Sequence, residues 1–268
     1  MKYLIFLGLL ISPALFLRWL PGDAAAPAVP RPLAAEAPEK TAELAEGLAV
    51  LELFTSQGCS SCPPADRVLA EYARAAKDNV IALSFHVDYW NRLGWADPYS
   101  SPWFSARQTD YTDRLSSRTY TPQLVVNGRQ EMIGSRSKEV AAAVRRGLAT
   151  PPRVAVKLEA LTAEDRALSV KYSLADDWEG LEITGLLVQN YAATDVTRGE
   201  NRGRALEHHN VVRELKQLPA SRHASGEGVL EFELPDDLEK AASAVAILVA
   251  EPESGEIVGA RLLRMSAR

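Results

Sequence analysis

The segment LAVLELFTSQGCSSCPPAD, residues 48–66, decides how the rest of the chain is read. LAVLELFTS is a short apolar run with one acid, Glu52, inside it, and fits a buried strand. GCSSC then holds both cysteines of the chain, Cys59 and Cys62, and Pro63 and Pro64 follow at once. Were Cys59 the N-cap of a regular helix, each proline would remove an i→i−4 hydrogen bond. Pro63 also disfavours a helical Cys62. Proline is instead at home in the first helical position. The helix is therefore predicted to start at Pro63, with Cys62 near its N-cap and Cys59–Ser61 as a separate turn. Ala65, Val68, Leu69, Tyr72 and Ala76 share one face at helical spacing, which carries the helix to about Lys77.

Working outward, NVIALSFHV (79–87) reads as a second buried strand, and strand–helix–strand implies parallel pairing with a right-handed crossover. An aromatic loop, DYWNRLGWADPY (88–99), leads to a helix with Ser101 as N-cap and Pro102 in its first position, running to about Leu115. PQLVV-NG-RQEMI (122–133) is a hairpin signal. Ser137 can cap a last helix with Val140, Ala141, Val144 and Leu148 on one face. The order β-α-β-α-β-β-α is that of a thioredoxin fold. Pro151-Pro152 marks a boundary, beyond which about seven strand candidates alternate with turns, the pattern of a small sandwich. The expected fold is an α/β thioredoxin-like N-terminal domain (48–150) followed by a smaller all-β, sandwich-like C-terminal domain (153–268).

The chain has 268 residues, 47% hydrophobic and 24% charged, with a net charge of −5. That balance, without a basic block, points away from nucleic acid. Lys2, the apolar stretch Tyr3–Leu17 and Ala24-Ala25-Ala26 read as an export signal over 1–26. Arg18, Trp19 and Pro27 leave open whether it is cleaved or kept as an anchor, and a membrane is a partner only if it is kept. An Ala/Pro-rich tether follows over 27–47. The expected location is periplasmic or secreted.

Two cysteines three positions apart make a poor staple, because a disulfide stabilises mainly by closing a long loop. Reactivity explains the pair better. After a buried strand and before a helix, Cys59 is expected near free helix N–H groups, which favour a thiolate. Cys59 would form the mixed disulfide and Cys62 would resolve it. Pro122, just before the strand expected beside the first, is predicted to follow a cis Thr121–Pro122 bond, and Thr121 could then pair with an extended substrate. The alternative is an ordinary proline at a strand start.

Glu52 has two readings: a desolvated proton relay to Cys62, or a side chain that snorkels to the edge or pairs with an arginine. His86 ends the second strand on the cysteine edge, as a thiolate-tuning group or as hydrogen-bonded scaffold. Tyr89, Trp90, Trp95 and Tyr99 either roof the site or form local core. In GRALEHHNVVR, the adjacent His208 and His209 face opposite sides of a strand, which suits a polar cross-sheet network with Arg213.

LELFTSQGCSSCPPAD, HVDYWNRLGWADPYSSPWFSARQ, YTPQLVVNG and GRALEHHNVVR together resemble the secreted, thioredoxin-like domain-of-unknown-function family numbered 1223. The resemblance runs from about Leu48 to the C-terminus. It implies a thioredoxin-like fold with a β-rich C-terminal portion in an exported, bacterial-type protein, and supplies no reaction. From thioredoxin-like proteins in general it carries over Cys59 as nucleophile, Cys62 as resolving thiol and Pro122 as the cis-proline. Ser60-Ser61 between the cysteines, the double proline and one extra residue between Glu52 and Cys59 depart from thioredoxin itself. The leading functional expectation is a thiol–disulfide oxidoreductase with a thiol or disulfide substrate, a redox partner and no cofactor. A copper or zinc carrier using Cys59, Cys62 and His86, and a non-catalytic binding module, are the alternatives.

Overall fold

The computed structural model describes residues 47–75, 77–161, 166–175, 177–218 and 226–265. Contacts divide the chain after Glu43, and all described residues belong to the second unit, Leu44–Arg268. The expected export signal, and the tether up to residue 46, lie outside the described residues. Among those described, no helix is long and apolar enough to cross a membrane.

The elements of the first half follow the predicted order: β1 (Ala49–Thr55), α1 (Pro63–Ala75), β2 (Val80–His86), α2 (Pro102–Arg114), β3 (Gln123–Val126), β4 (Gln130–Ile133) and α3 (Ser137–Leu148). The second half adds β5 (Ala155–Ala160), β6 (Ala167–Ala175), β7 (Glu182–Val196), β8 (Arg204–Leu218), β9 (Glu227–Glu233), β10 (Ser243–Ala250) and β11 (Ile257–Arg264). Helix α1 begins at Pro63, with the amides of Ala65 and Asp66 on the carbonyl of Cys62. The side chain of Ser101 caps α2 as expected. Ser137, by contrast, is the first helical residue of α3 and caps nothing. Asn127 and Gly128 take positive φ angles of 50° and 66° at the β3–β4 turn, which only such residues adopt readily.

The expected fold class is overturned. Among the described residues no α/β thioredoxin-like domain stands apart from an all-β one. The chain is mostly β, and a single mixed eight-stranded sheet, in the order β11-β10-β7-β8-β2-β1-β3-β4, takes strands from both sides of Pro151-Pro152. The join is β2 beside β8, parallel at Ser84↔Val211. Its cause is visible in β2, where all seven residues are buried, so the edge not paired with β1 must be covered. Strand β8 covers it, and Asn210, in a left-handed conformation (φ 50°), adds a side-chain bond to the carbonyl of Ala82 at 2.8 Å. A second sheet, β5-β6-β9, lies sandwich-fashion over one face of β7 and β10.

Period-two alternation assigns the faces. Val50 and Phe54 of β1, with Ile81, Leu83 and Phe85 of β2, pack under α2 through Phe104 and Tyr111. Leu51, Leu53, Val80 and Ala82 pack against α1 and α3. The same alternation puts Glu52 on the α2 face, and Thr55, Ser84 and His86 on the face that carries α1.

Candidate functional site

The cysteine turn lies at the C-terminal edge of β1 and β2. Cys59 and Cys62 form a disulfide, with their Cα atoms 5.5 Å apart. The turn is held locally by Cys59 N–H on the carbonyl of Ser56 (3.1 Å) and Cys62 N–H on the carbonyl of Cys59 (3.2 Å). The Ser61 hydroxyl sits 3.3 Å from Cys59 Sγ. Both cysteines have 0% exposure, while Ser60 and Ser61 are exposed.

The helix N-terminus differs from expectation in one chemical respect. Pro63 and Pro64 have no N–H to offer, and the next two amides, of Ala65 and Asp66, are spent on the Cys62 carbonyl. The first turn of α1 therefore has no free amide for a Cys59 thiolate.

What covers the turn comes from far along the chain. The tip of the β7–β8 hairpin, TRGENRG (197–203), folds over it. Asn201, fully buried, donates its amide N–H groups to the carbonyls of Gln57 and Cys59, both at 2.9 Å. Arg204 donates to Asn201 Oδ1 at 2.9 Å. The Glu200 carboxylate accepts the backbone N–H of Ser60 at 3.0 Å. Hydrogen bonds from Ser60, side chain and backbone, hold the Glu200 carboxyl below its ordinary value. Gln57 donates to Thr194 Oγ1 and accepts from Trp95 Nε1, each at 3.0 Å. Gly199 (φ 72°) allows the tight tip, and a Cβ there would stand 3.1 Å from that of Trp95.

Beneath the turn is a buried polar cluster on the α1 face. Asp97 Oδ2 accepts the Gln57 N–H at 2.8 Å and pairs with His86 Nδ1 at 2.7 Å; Oδ1 accepts Tyr99 N–H at 3.0 Å. Burial would lower the His86 pKa, but the charge and hydrogen bond of Asp97 outweigh it and hold the imidazole above its ordinary value. Burial would raise Asp97, and His86 with the two amides holds it below. The His208 ring stands edge-on to His86, centroids 4.5 Å apart, with Nδ1 3.7 Å from Asp66 Oδ1. Among the described residues, no hydrogen-bond partner is present for His86 Nε2, either His208 nitrogen, Asp66 Oδ1, Thr55 Oγ1 or Ser84 Oγ.

The other expected residues distribute as follows. The Thr121–Pro122 bond is cis, and Pro122 is buried. Trp90 links this loop to the cysteine turn: its Nε1 donates to Thr121 Oγ1 at 2.8 Å, and its Cβ would be 3.3 Å from a Cβ on Gly58. Glu52 is not brought to Cys62. It lies under α2, accepting from Arg107 Nε at 2.7 Å and from the Tyr111 hydroxyl, which is the arginine-pairing alternative. Of the four loop aromatics, Tyr89 and Trp90 pack against the core, Trp95 holds Gln57 and Tyr99 stands edge-on to His86. His209 faces away from His208, against Tyr191. Arg213 bonds Asp237 at 2.8 Å and stacks over Tyr99, but the hydrogen bonds and ion pairs that it makes do not include either histidine. Each sulfur is bonded to the other in this structure. Among the described residues no three His, Cys, Asp or Glu side chains are grouped to hold a metal ion.

Sequence reasoning missed Asp97, Glu200 and Asn201. GENRG, a polar turn between glycines, marks a hairpin tip, but nothing in it says which loop the tip will meet.

No curated protein matches the chain. Among solved structures, protein AGR_C_4864 from Agrobacterium tumefaciens is similar: 26% identical, covering 82% of this chain and 95% of its own, with a TM-score of 0.61. A domain of the outer membrane lipoprotein Omp28 from Porphyromonas gingivalis is 11% identical over 43% of this chain and 89% of its own. Its TM-score is 0.27. The model of the family described as "Protein of unknown function (DUF1223)" matches residues 50–250, three quarters of the sequence, and the chain belongs to that family.

Proposed function

We propose that the protein is an exported thiol–disulfide oxidoreductase working through Cys59 and Cys62 on protein or small-molecule thiols. The observation that carries this is the disulfide itself: three positions apart, it closes too short a loop to contribute much stability. Yet Asn201, Glu200 and Asp97 are all devoted to its turn.

A substrate thiolate attacks Cys59 Sγ, the Cys59–Cys62 bond breaks, and its electron pair leaves on Cys62, which takes a proton. A second substrate thiolate then attacks the substrate sulfur of the mixed disulfide and releases Cys59. Two electrons pass to the cysteine pair, and the reverse sequence returns them. Both cysteines are covered, so the structure around the turn must open for either sulfur to be reached. That cover favours a second reading, a non-catalytic module with a structural disulfide.

Equilibration in glutathione buffers, followed by thiol trapping and mass spectrometry, separates the two. A reversible two-electron transition of Cys59 and Cys62 in the folded protein is expected. A pair that stays oxidised until the protein unfolds would establish the second reading.

A further inference from the structure

We propose that Glu200, on the β7–β8 hairpin, is a positioning residue that tunes the Cys59–Cys62 couple toward its disulfide, by placing a carboxylate on the turn amide next to Cys59. The proposal rests on the redox reading above. A reduced pair at work carries a thiolate on Cys59, and its pKa depends on the donors and charges around it. Proline occupies the first two positions of α1, and the next two amides serve the Cys62 carbonyl. The Ser60 amide is one residue from Cys59, and Glu200 Oε2 occupies it at 3.0 Å. The Ser61 hydroxyl, 3.3 Å from Cys59 Sγ, is a neutral donor to that sulfur.

Glu200 thus acts twice. It takes an amide that would otherwise solvate the thiolate, and it sets a like charge beside it. Asn201, the next residue, makes this placement specific, since its bonds to the carbonyls of Gln57 and Cys59 fix the tip against the turn. The other charged groups here include Asp97 on the Gln57 amide, paired with His86; Asp66 on α1, facing His208; Arg204, spent on Asn201; and Arg198 and Arg202, exposed on either side of Glu200 on the same tip. The Ser60 amide is held by Glu200.

Glu200→Gln keeps an acceptor for the amide and removes only the charge; Glu200→Ala removes both. Thiolate absorbance of the reduced protein against pH reads the effect directly. In Glu200→Gln the acid dissociation constant of Cys59 is expected to rise about threefold at low salt, the size of a like-charge effect at an exposed site. In Glu200→Ala the rise should be larger. In buffer alkaline of that pKa, a threefold change raises the potential of the couple by about 15 mV, at 29.6 mV per tenfold. High salt should bring the wild type toward Glu200→Gln. Variants that titrate as the wild type does would overturn the role of Glu200 while leaving a reversible couple intact. A wild-type pair that cannot be reduced without unfolding would overturn the redox reading and this inference with it.

Discussion

Two buried acids flank the central strands on opposite faces, and they differ in how well they are satisfied. Glu52, under α2, has an arginine on one oxygen and a tyrosine hydroxyl on the other. Asp66, on α1 one turn past Cys62, has an oxygen without a hydrogen-bond partner and faces a histidine whose two nitrogens also lack one. A buried carboxylate with a full set of partners behaves as scaffold, and its loss is costly. A loosely satisfied cluster is open to change, and this one lies on the face of the sheet that carries the cysteine helix. The difference separates the structural acid of the sheet from the polar ground on which the disulfide sits.

The largest expected effect tests the Glu52 side. Arg107→Met leaves Glu52 at 0% exposure with only Tyr111, and should destabilise the protein by about 3–5 kcal/mol in denaturant unfolding. The potential of the cysteine couple should not move. A loss below about 1 kcal/mol, or a shifted potential, would return Glu52 to the redox machinery.

Asp97→Asn comes next. It strips the His86 imidazole of its counter-charge and weakens the anchor of Gln57, and a loss of about 2–3 kcal/mol is expected. The pH dependence has a definite sign. His86 is raised above its ordinary 6.5, so its contribution is complete below 6.5 and is lost as pH rises through the folded value. Asp97 is held below its ordinary 3.8, so its contribution is complete above 3.8 and is lost as pH falls through the folded value. The pair should stabilise most between those two ordinary values, and Asp97→Asn should flatten stability on both sides. Urea midpoints measured across pH check this, and an unchanged profile would remove the ion pair.

How much of this was legible from sequence follows from the range of the interactions. The start of α1 at Pro63, the Asn127-Gly128 turn and the Ser101 cap are set within a few residues, and sequence carries them. The apolar runs of β2 and β10 mark buried strands, but apolarity does not name the neighbour. The pairing of β2 with β8 joins Ser84 to Val211, and it turned two expected domains into one sheet. Strand parity puts Glu52 on the face of Val50 and Phe54, but the sequence does not say that α1 packs on the other face, against Leu51 and Leu53. Asn201 lies 142 positions from Cys59, beyond any local pattern.

Asn201→Ala tests that long-range clamp. It leaves the carbonyls of Gln57 and Cys59 without this donor, for an expected loss of about 1–2 kcal/mol. Its sharper signature is kinetic: with the tip loosened, reduction of the disulfide by a small dithiol should quicken several-fold. Equal stability loss with an unchanged reduction rate would mean that the tip does not guard the sulfurs.

The smallest effect is expected at His208, and its smallness is the point. Exchanging a satisfied buried polar group for an apolar one costs its hydrogen bonds, whereas a group with none loses little when an apolar ring fills its place. Both His208 nitrogens lack hydrogen-bond partners, and the contact with Asp66 is 3.7 Å. His208→Phe should therefore stay within about 1 kcal/mol of the wild type in urea unfolding, against the much larger cost of Arg107→Met. A loss approaching that of Arg107→Met would show His208 and Asp66 to be as tightly coupled as Glu52 and Arg107. The contrast between the two faces would then be one of position rather than of satisfaction.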